Sequence, residues 1–298
     1  MPIHFNDLEQ LGCFLGLGKA EQKDDRLRPN DSPPDDTGDS VFVCVDLEAF
    51  EFDQTKILET GFACLDSRDL IKLAPGDKAS TWMQHIKSYH YIVEERKHLV
   101  NKRYVKGCPE GFVFGKSQYV PAGAARALFR QHFTQPRSIS DGCQPTTPDE
   151  DSPSVFVAAH GLKNDLVLMK HFGIDNIYET GIAGEIDTQK LCSAKRQSAS
   201  LKRLLDALDV PYEHLHNAAN DATYTLQALV KMIWMKRFEP AELDRVINLL
   251  KNPPVDPNRV PKRRRGPKGE GERSIRPLVR QVVVEDRAAA IRRDSKEL

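Results

Sequence analysis

The run SVFVCVDLEAF, residues 40–50, limits what this chain can fold into more than any other stretch. From Val41 to Val45 it is unbroken apolar and largely β-branched. That pattern reads as a strand buried on both faces, a kind of strand found in sheets covered by helices. Asp46 and Glu48 close it, two residues apart and therefore on one face. Two adjacent carboxylates repel, and they cost free energy unless a cation sits between them. A hard divalent ion such as Mg²⁺ or Mn²⁺ takes oxygen ligands of this kind. Taken alone, the pair also fits a solvated strand end, where acids are ordinary.

The remaining elements follow from periodicity and punctuation. KILETGFACLD, 56–66, reads as a second strand, and GFVFG, 111–115, as a third. Residues 79–105 read as a helical insertion, with charges interleaved among Trp82, Ile86, Tyr89, Ile92 and Val93. PAGAARALFRQHF is a helix that opens on proline. SVFVAAHGLKNDLVLMKHFG is a buried strand, a sharp turn and a helix stopped by Gly173. GEIDTQKL holds a short strand, SASLKRLLDALDV a helix with serine at its cap, and 218–236 the last long helix, broken before Pro240. An antiparallel meander that feeds parallel strands and crossover helices makes an α/β fold with a mixed β-sheet flanked by α-helices.

Charged, proline-rich stretches set the boundaries. Residues 1–18 form an N-terminal helical segment with Leu8, Leu11 and Leu15 on one face, and 19–39 a linker. The main domain spans 40–240, interrupted by a polar loop at 135–153. A helical extension and a basic, disordered tail fill 241–298. Residues 252–298 carry 13 Lys or Arg against 7 Asp or Glu, while the whole chain has zero formal net charge, so any electrostatic grip on nucleic acid is local. Its PKRRRGPK run reads equally as an import signal, a phosphate-contacting segment or a solvated charge run.

Two further stretches carry chemistry-bearing side chains. Asp165 falls just past the second buried strand, in the first turn of a helix, where an acid complements the helix dipole. His160 beside it reads as a satisfied core histidine. In HLHNAANDATYTLQAL, 214–229, Asn217 is a good N-cap and Asp221 lies in the first turn. Capping explains both, but it leaves His216 unexplained.

In combination these positions resemble the DEDDh 3′–5′ exonucleases. Asp46-x-Glu48, then Asp165, then His216-x₄-Asp221 follow one another in that family's order across roughly residues 40–236. HNAANDATYTLQAL, ILETGFACLD and HIKSYHYIVEERKHLVNKRYV before GFVFG are most similar to a fungal branch of ribonuclease-H-like proteins. The resemblance implies a ribonuclease-H-like fold and two divalent cations, Mg²⁺ or Mn²⁺, held by Asp46, Glu48, Asp165 and Asp221. Asp46 would bridge both ions, and His216 would take the proton from the attacking water. The implied partner is single-stranded nucleic acid, RNA weakly favoured over DNA. Departures lie at Ala49, Phe50 and Glu51 after the first motif, and at Gly161 and Asn164 around Asp165. They concern substrate contacts more than metal ligands. The alternative is a non-catalytic or weakly active nucleic-acid-binding module on the same fold.

The six cysteines form no CxxC pair, which points to a reduced, intracellular protein of the cytoplasm or nucleus. The N-terminus lacks a basic leader, and no apolar run approaches the roughly 18 residues that span a membrane, so no membrane partner is expected. The sequence leaves the oligomeric state open.

Overall fold

The computed structural model describes residues 3–17, 39–134, 153–194 and 198–252. The linker, the polar loop and the basic tail of the sequence reading lie almost wholly outside these residues. The described strands are β1 (Ile3–His4), β2 (Ser40–Phe50), β3 (Asp53–Asp66), β4 (Lys87–Val93), β5 (Gln118–Val120), β6 (Ser154–Ala159) and β7 (Ile182–Asp187). The helices are α1 (Leu8–Phe14), α2 (Ser80–Met83), α3 (Ala122–Phe133), α4 (Leu162–His171), α5 (Thr188–Cys192), α6 (Leu201–Leu208), α7 (Ala218–Phe238) and α8 (Pro240–Lys251). Seven strands make one mixed sheet in the order β1-β7-β6-β2-β3-β4-β5. β2, β3 and β4 run antiparallel as a meander, while β6 pairs parallel to β2 and β7 parallel to β6. This is the α/β fold with a mixed sheet flanked by helices that the sequence led one to expect.

Strict alternation along β2 and β6 divides the core. Phe42, Cys44, Phe156 and Ala158 face one layer with α1, α6, α7 and α8. Val41, Val43, Val45, Val155 and Val157 face the other with α3 and α4. Both faces are buried, which is why the runs read as continuous apolar segments rather than as alternating ones. The 21-residue α7 packs against β2, β3 and β4 on one side and α1, α6 and α8 on the other, so it is apolar around most of its girth. Its start touches the sheet directly. A Cβ on Gly61 of β3 would lie 2.1–2.2 Å from the Ala218 carbonyl group and the Ala219 nitrogen, so glycine is what admits this approach.

Two sequence expectations are corrected. Residues 79–105 are not a helical insertion: apart from the single turn of α2, the segment contains strand β4, paired antiparallel with β3 from Glu59↔Ile92 to Cys64↔Lys87. SYHYIV is aromatic and β-branched, and burial in the sheet outweighs the helix-like spacing of its flanking charges. GFVFG is not a strand either. It is a loop, and its backbone bonds go to side chains at the head of α7 rather than to a neighbouring strand. The N-terminal segment is also more than a docked helix. β1 extends the sheet beside β7, His4 Nδ1 lies 2.7 Å from Glu185, and Phe5 and Phe14 pack their rings on Phe156.

Candidate active site

β2 delivers the first two acids. Asp46 stands opposite Gly61 of β3, and Glu48 opposite Glu59. Gly161, with φ +97, makes the sharp turn from β6 into α4, and Asp165 follows in the first turn, 6% exposed. His160 is satisfied: Nδ1 meets Thr188 Oγ1 at 2.9 Å and Nε2 the Ala199 carbonyl at 2.9 Å. It belongs to the scaffold, as the sequence reading held.

The head of α7 is pinned from three directions. Asn217 Oδ1 accepts the Asn220 N–H at 3.1 Å and caps the helix, while its Nδ2 donates to the Cys108 and Pro109 carbonyls. Asn220 Nδ2 donates to the Gly111 and His214 carbonyls, and its Oδ1 accepts the Val113 N–H. The His216 carbonyl accepts the Cys108 N–H at 3.1 Å, and the His216 N–H donates to Asp221 Oδ2 at 3.1 Å. His216 sits at φ +67, a left-handed backbone that a β-substituted residue adopts only at a cost and only when its surroundings hold it. Its side chain is solvent-exposed.

One ligand atom each from Glu48, His216 and Asp221 come within 4.8 Å of one another. Around this cluster the carboxyl groups resist ionisation. Burial, then the charges of Asp165, Asp221 and Glu48, drives Asp46 well above the usual carboxylate range. Burial followed by Glu59 and Asp221 pushes Glu48 up to about 8. Asp165 is pushed by burial to about 8, against backbone hydrogen bonding from Leu47. Asp221 reaches about 7 by burial, although the His216 amide pulls it down. Asp221 Oδ1 is buried and has no hydrogen-bond partner. Among the described residues none of these four acids pairs with a lysine or arginine. An oxygen-rich donor set with an orphaned carboxylate oxygen fits a hard divalent cation. Partial burial also holds His216 below the usual imidazole range.

A family model described as DNA polymerase III subunit epsilon-like, C-terminal domain (DEDDh_C), matches residues 41–232. The chain belongs to the DEDDh exonuclease family. Among its relatives, "Uncharacterized protein YDR514C" of Saccharomyces cerevisiae is 29% identical over 214 residues, which is 65% of this chain and 41% of that protein. "Uncharacterized nucleolar protein C2C4.08" of Schizosaccharomyces pombe is 25% identical over 201 residues, 64% of this chain and 68% of that protein. The chain thus spans only about two fifths of the first relative's length. A solved structure of the Saccharomyces cerevisiae Pan2 pseudoubiquitin hydrolase–RNA exonuclease module with AAGGAA RNA superposes with TM-score 0.39 at 16% identity, covering 71% of this chain and 31% of that one. Among the described residues no helix of this DEDDh chain is long and apolar enough to cross a membrane.

The sequence reading missed one buried pair. Glu59 and His90 are almost fully shielded, and His90 Nε2 lies 3.0 Å from Glu59 Oε2. His90 Nδ1 meets Ser117 Oγ at 2.8 Å, and the Ala218 N–H points at Glu59 Oε2 from 3.5 Å. A signal was present. An acid inside ILETGFACL, an otherwise apolar strand, needs a partner somewhere. The roles of Asn217 and Asn220 in holding the 108–113 loop left no such trace.

Proposed function

We propose that this chain is a divalent-metal-dependent 3′–5′ exonuclease on single-stranded nucleic acid, with RNA preferred to DNA. The observation that carries the reading is the meeting of Glu48, His216 and Asp221 around an orphaned carboxylate oxygen, beside the half-buried Asp46 and the buried Asp165. Asp46, Glu48, Asp165 and Asp221 would hold two ions, Mg²⁺ or Mn²⁺. When bound, they would stabilise the attacking and leaving oxygens of an in-line displacement at phosphorus. A hard ion takes the carboxylates in preference to the imidazole, which leaves His216 to act on water. His216 accepts the water's proton as the new P–O bond forms and the bond to the 3′ oxygen breaks; the 3′ oxygen takes up a proton from solvent, and a nucleoside 5′-monophosphate is released. Its exposed position before the helix lets the ring reach a bound strand. The resemblance to a nucleolar relative and the basic run 262–268 are compatible with action in the nucleus as well as the cytoplasm.

The test is an assay on matched, 5′-labelled RNA and DNA single strands with Mg²⁺ or Mn²⁺. Stepwise shortening from the 3′ end is expected, faster on RNA, and lost in Asp46→Ala. His216→Ala should cut the rate about 10²–10⁴-fold while Mn²⁺ binding stays near normal. Strand binding without shortening would favour a non-catalytic module on the same fold.

A further inference from the structure

The β2–β3 hairpin ends in an aromatic group that the core does not use. Phe50 continues β2 past Glu48, Phe52 stands at the turn 58% exposed, and Tyr104 lies beside it 70% exposed. The rings touch in series, with centroids 5.4 Å apart from Phe50 to Phe52 and 6.0 Å from Phe52 to Tyr104. Arg103 lays its guanidinium 5.6 Å from the centre of the Tyr104 ring. Lys102 and Lys106 flank it, both exposed. None of these three cations pairs with a carboxylate among the described residues.

This group is held rigidly rather than left loose. Glu51, the third acid after the first motif, binds no other acid's partner. Its carboxylate accepts the backbone N–H groups of Lys102, Arg103 and Tyr104 at 2.8–3.1 Å. Buried Asn101 completes the clamp: its Nδ2 donates to the Ala49 carbonyl at 2.8 Å, and its Oδ1 accepts the Glu51 N–H at 2.9 Å. The hairpin and the 101–106 loop therefore form one preorganised surface. Keeping large rings in water opposes the hydrophobic effect, and an exposed apolar patch ringed by unpaired cations marks a binding surface.

We propose that Phe52, Tyr104 and Arg103 form a stacking platform for single-stranded nucleic acid, taking the nucleotides 5′ of the one that reacts. Resting on the exonuclease reading above, it extends the site to longer strands. Flat aromatic faces accept any base, guanidinium and ammonium groups meet the phosphates, and stacking is worth about 1–3 kcal/mol per base. The placement suits a strand with its 3′ end at the acids. Phe50 lies two residues beyond Glu48 at the end of β2, and its ring touches that of Phe52 in the turn that follows. A base-paired duplex presents no free base faces to such a platform.

The experiment measures binding of fluorescent 12-mer and dinucleotide RNA and DNA to the full chain in EDTA, which prevents turnover, across a salt series. Phe52→Ala, Tyr104→Ala and Arg103→Ala change exposed side chains, so folding should be intact by circular dichroism. Tyr104→Ala should weaken 12-mer binding about 5–100-fold and dinucleotide binding less than about twofold. Arg103→Ala should flatten the slope of log affinity against log salt by about 0.7. Unchanged 12-mer affinity in the Phe52→Ala/Tyr104→Ala double variant would overturn the platform. So would tighter binding of a blunt duplex than of the single strand. The two readings separate cleanly: 12-mer binding lost in the variants while wild type with Mn²⁺ shortens no strand leaves the platform standing and sinks the exonuclease. Strand shortening with variant-insensitive 12-mer binding does the reverse.

Discussion

Glu48 and Glu59 face one another across the β2–β3 ladder, yet the fold compensates them in opposite ways. Glu59 has its partner built in: His90, fully buried on the next strand, bonds its carboxylate, and Ser117 bonds the far side of the ring. Glu48 meets Asp221, Asp46, Glu59 and the His216 imidazole, and none of these is a lysine or arginine. A buried charge survives only with a counter-charge and hydrogen bonds. One member of the pair therefore belongs to the scaffold, and the other is left for a positive group that arrives from solution. The difference sets a structurally paired acid apart from the acid proposed as a metal ligand.

The largest expected effect breaks this asymmetry at Glu48. Glu48→Gln should cut exonuclease turnover on the order of 10³-fold, equivalent to about 4 kcal/mol of lost charge stabilisation. Without metal at pH 8 it should also melt a few degrees higher than wild type, because it removes an uncompensated acid. Calorimetric scans and the strand assay read both effects, and an apo protein that melts lower would count against the idea that Glu48 is a burden until an ion binds.

Breaking the other side should act on stability instead. His90→Ala leaves Glu59 buried without its partner, a loss of about 3–5 kcal/mol. At about 2–4 °C per kcal/mol for a domain of this size, that lowers Tm by roughly 6–20 °C. His90→Ala/Glu59→Gln should recover part of the loss. Equal melting of the single and double variants would mean that the two side chains do not depend on one another.

The smallest effect is in pH dependence. Glu48 is pushed up to about 8, Asp165 to about 8 and Asp221 to about 7, all above their unfolded values near 4. Between those limits the folded chain binds more protons than the unfolded one, so apo stability falls as pH rises from about 4 to about 8. A divalent cation offsets the same charges. The Tm gain on adding Mn²⁺ should therefore be small at pH 5.5 and larger at pH 8. A gain that shrinks with rising pH would contradict the assignment of these acids.

The elements that carry Asp46, Asp165 and Asp221 were legible in the sequence, because each sits where a strongly apolar run ends or a capped helix begins. Local pattern marks such places. β4 was not legible. The charges flanking KSYHYIV mimic an amphipathic helix, and its strand character comes from pairing with β3. GFVFG misled for the converse reason: a glycine-bounded apolar run looks like a strand, but Asn220 claims its backbone. The acid inside ILETGFACL signals that Glu59 needs a partner, but nothing local names His90, which is 31 residues away and meets it only once the sheet forms. Glu51 illustrates the same limit. The sequence marks it only as a departure after the first motif, and the structure shows it holding the 101–106 loop.

Titration of Mn²⁺ into the metal-free chain at pH 7.5, followed by calorimetry, tests the central claim most directly. Wild type and Glu59→Gln should both bind the ion, whereas Glu48→Gln and Asp46→Ala should lose most of the affinity. Binding that is equal in wild type and Asp46→Ala, or absent from wild type, would contradict the account.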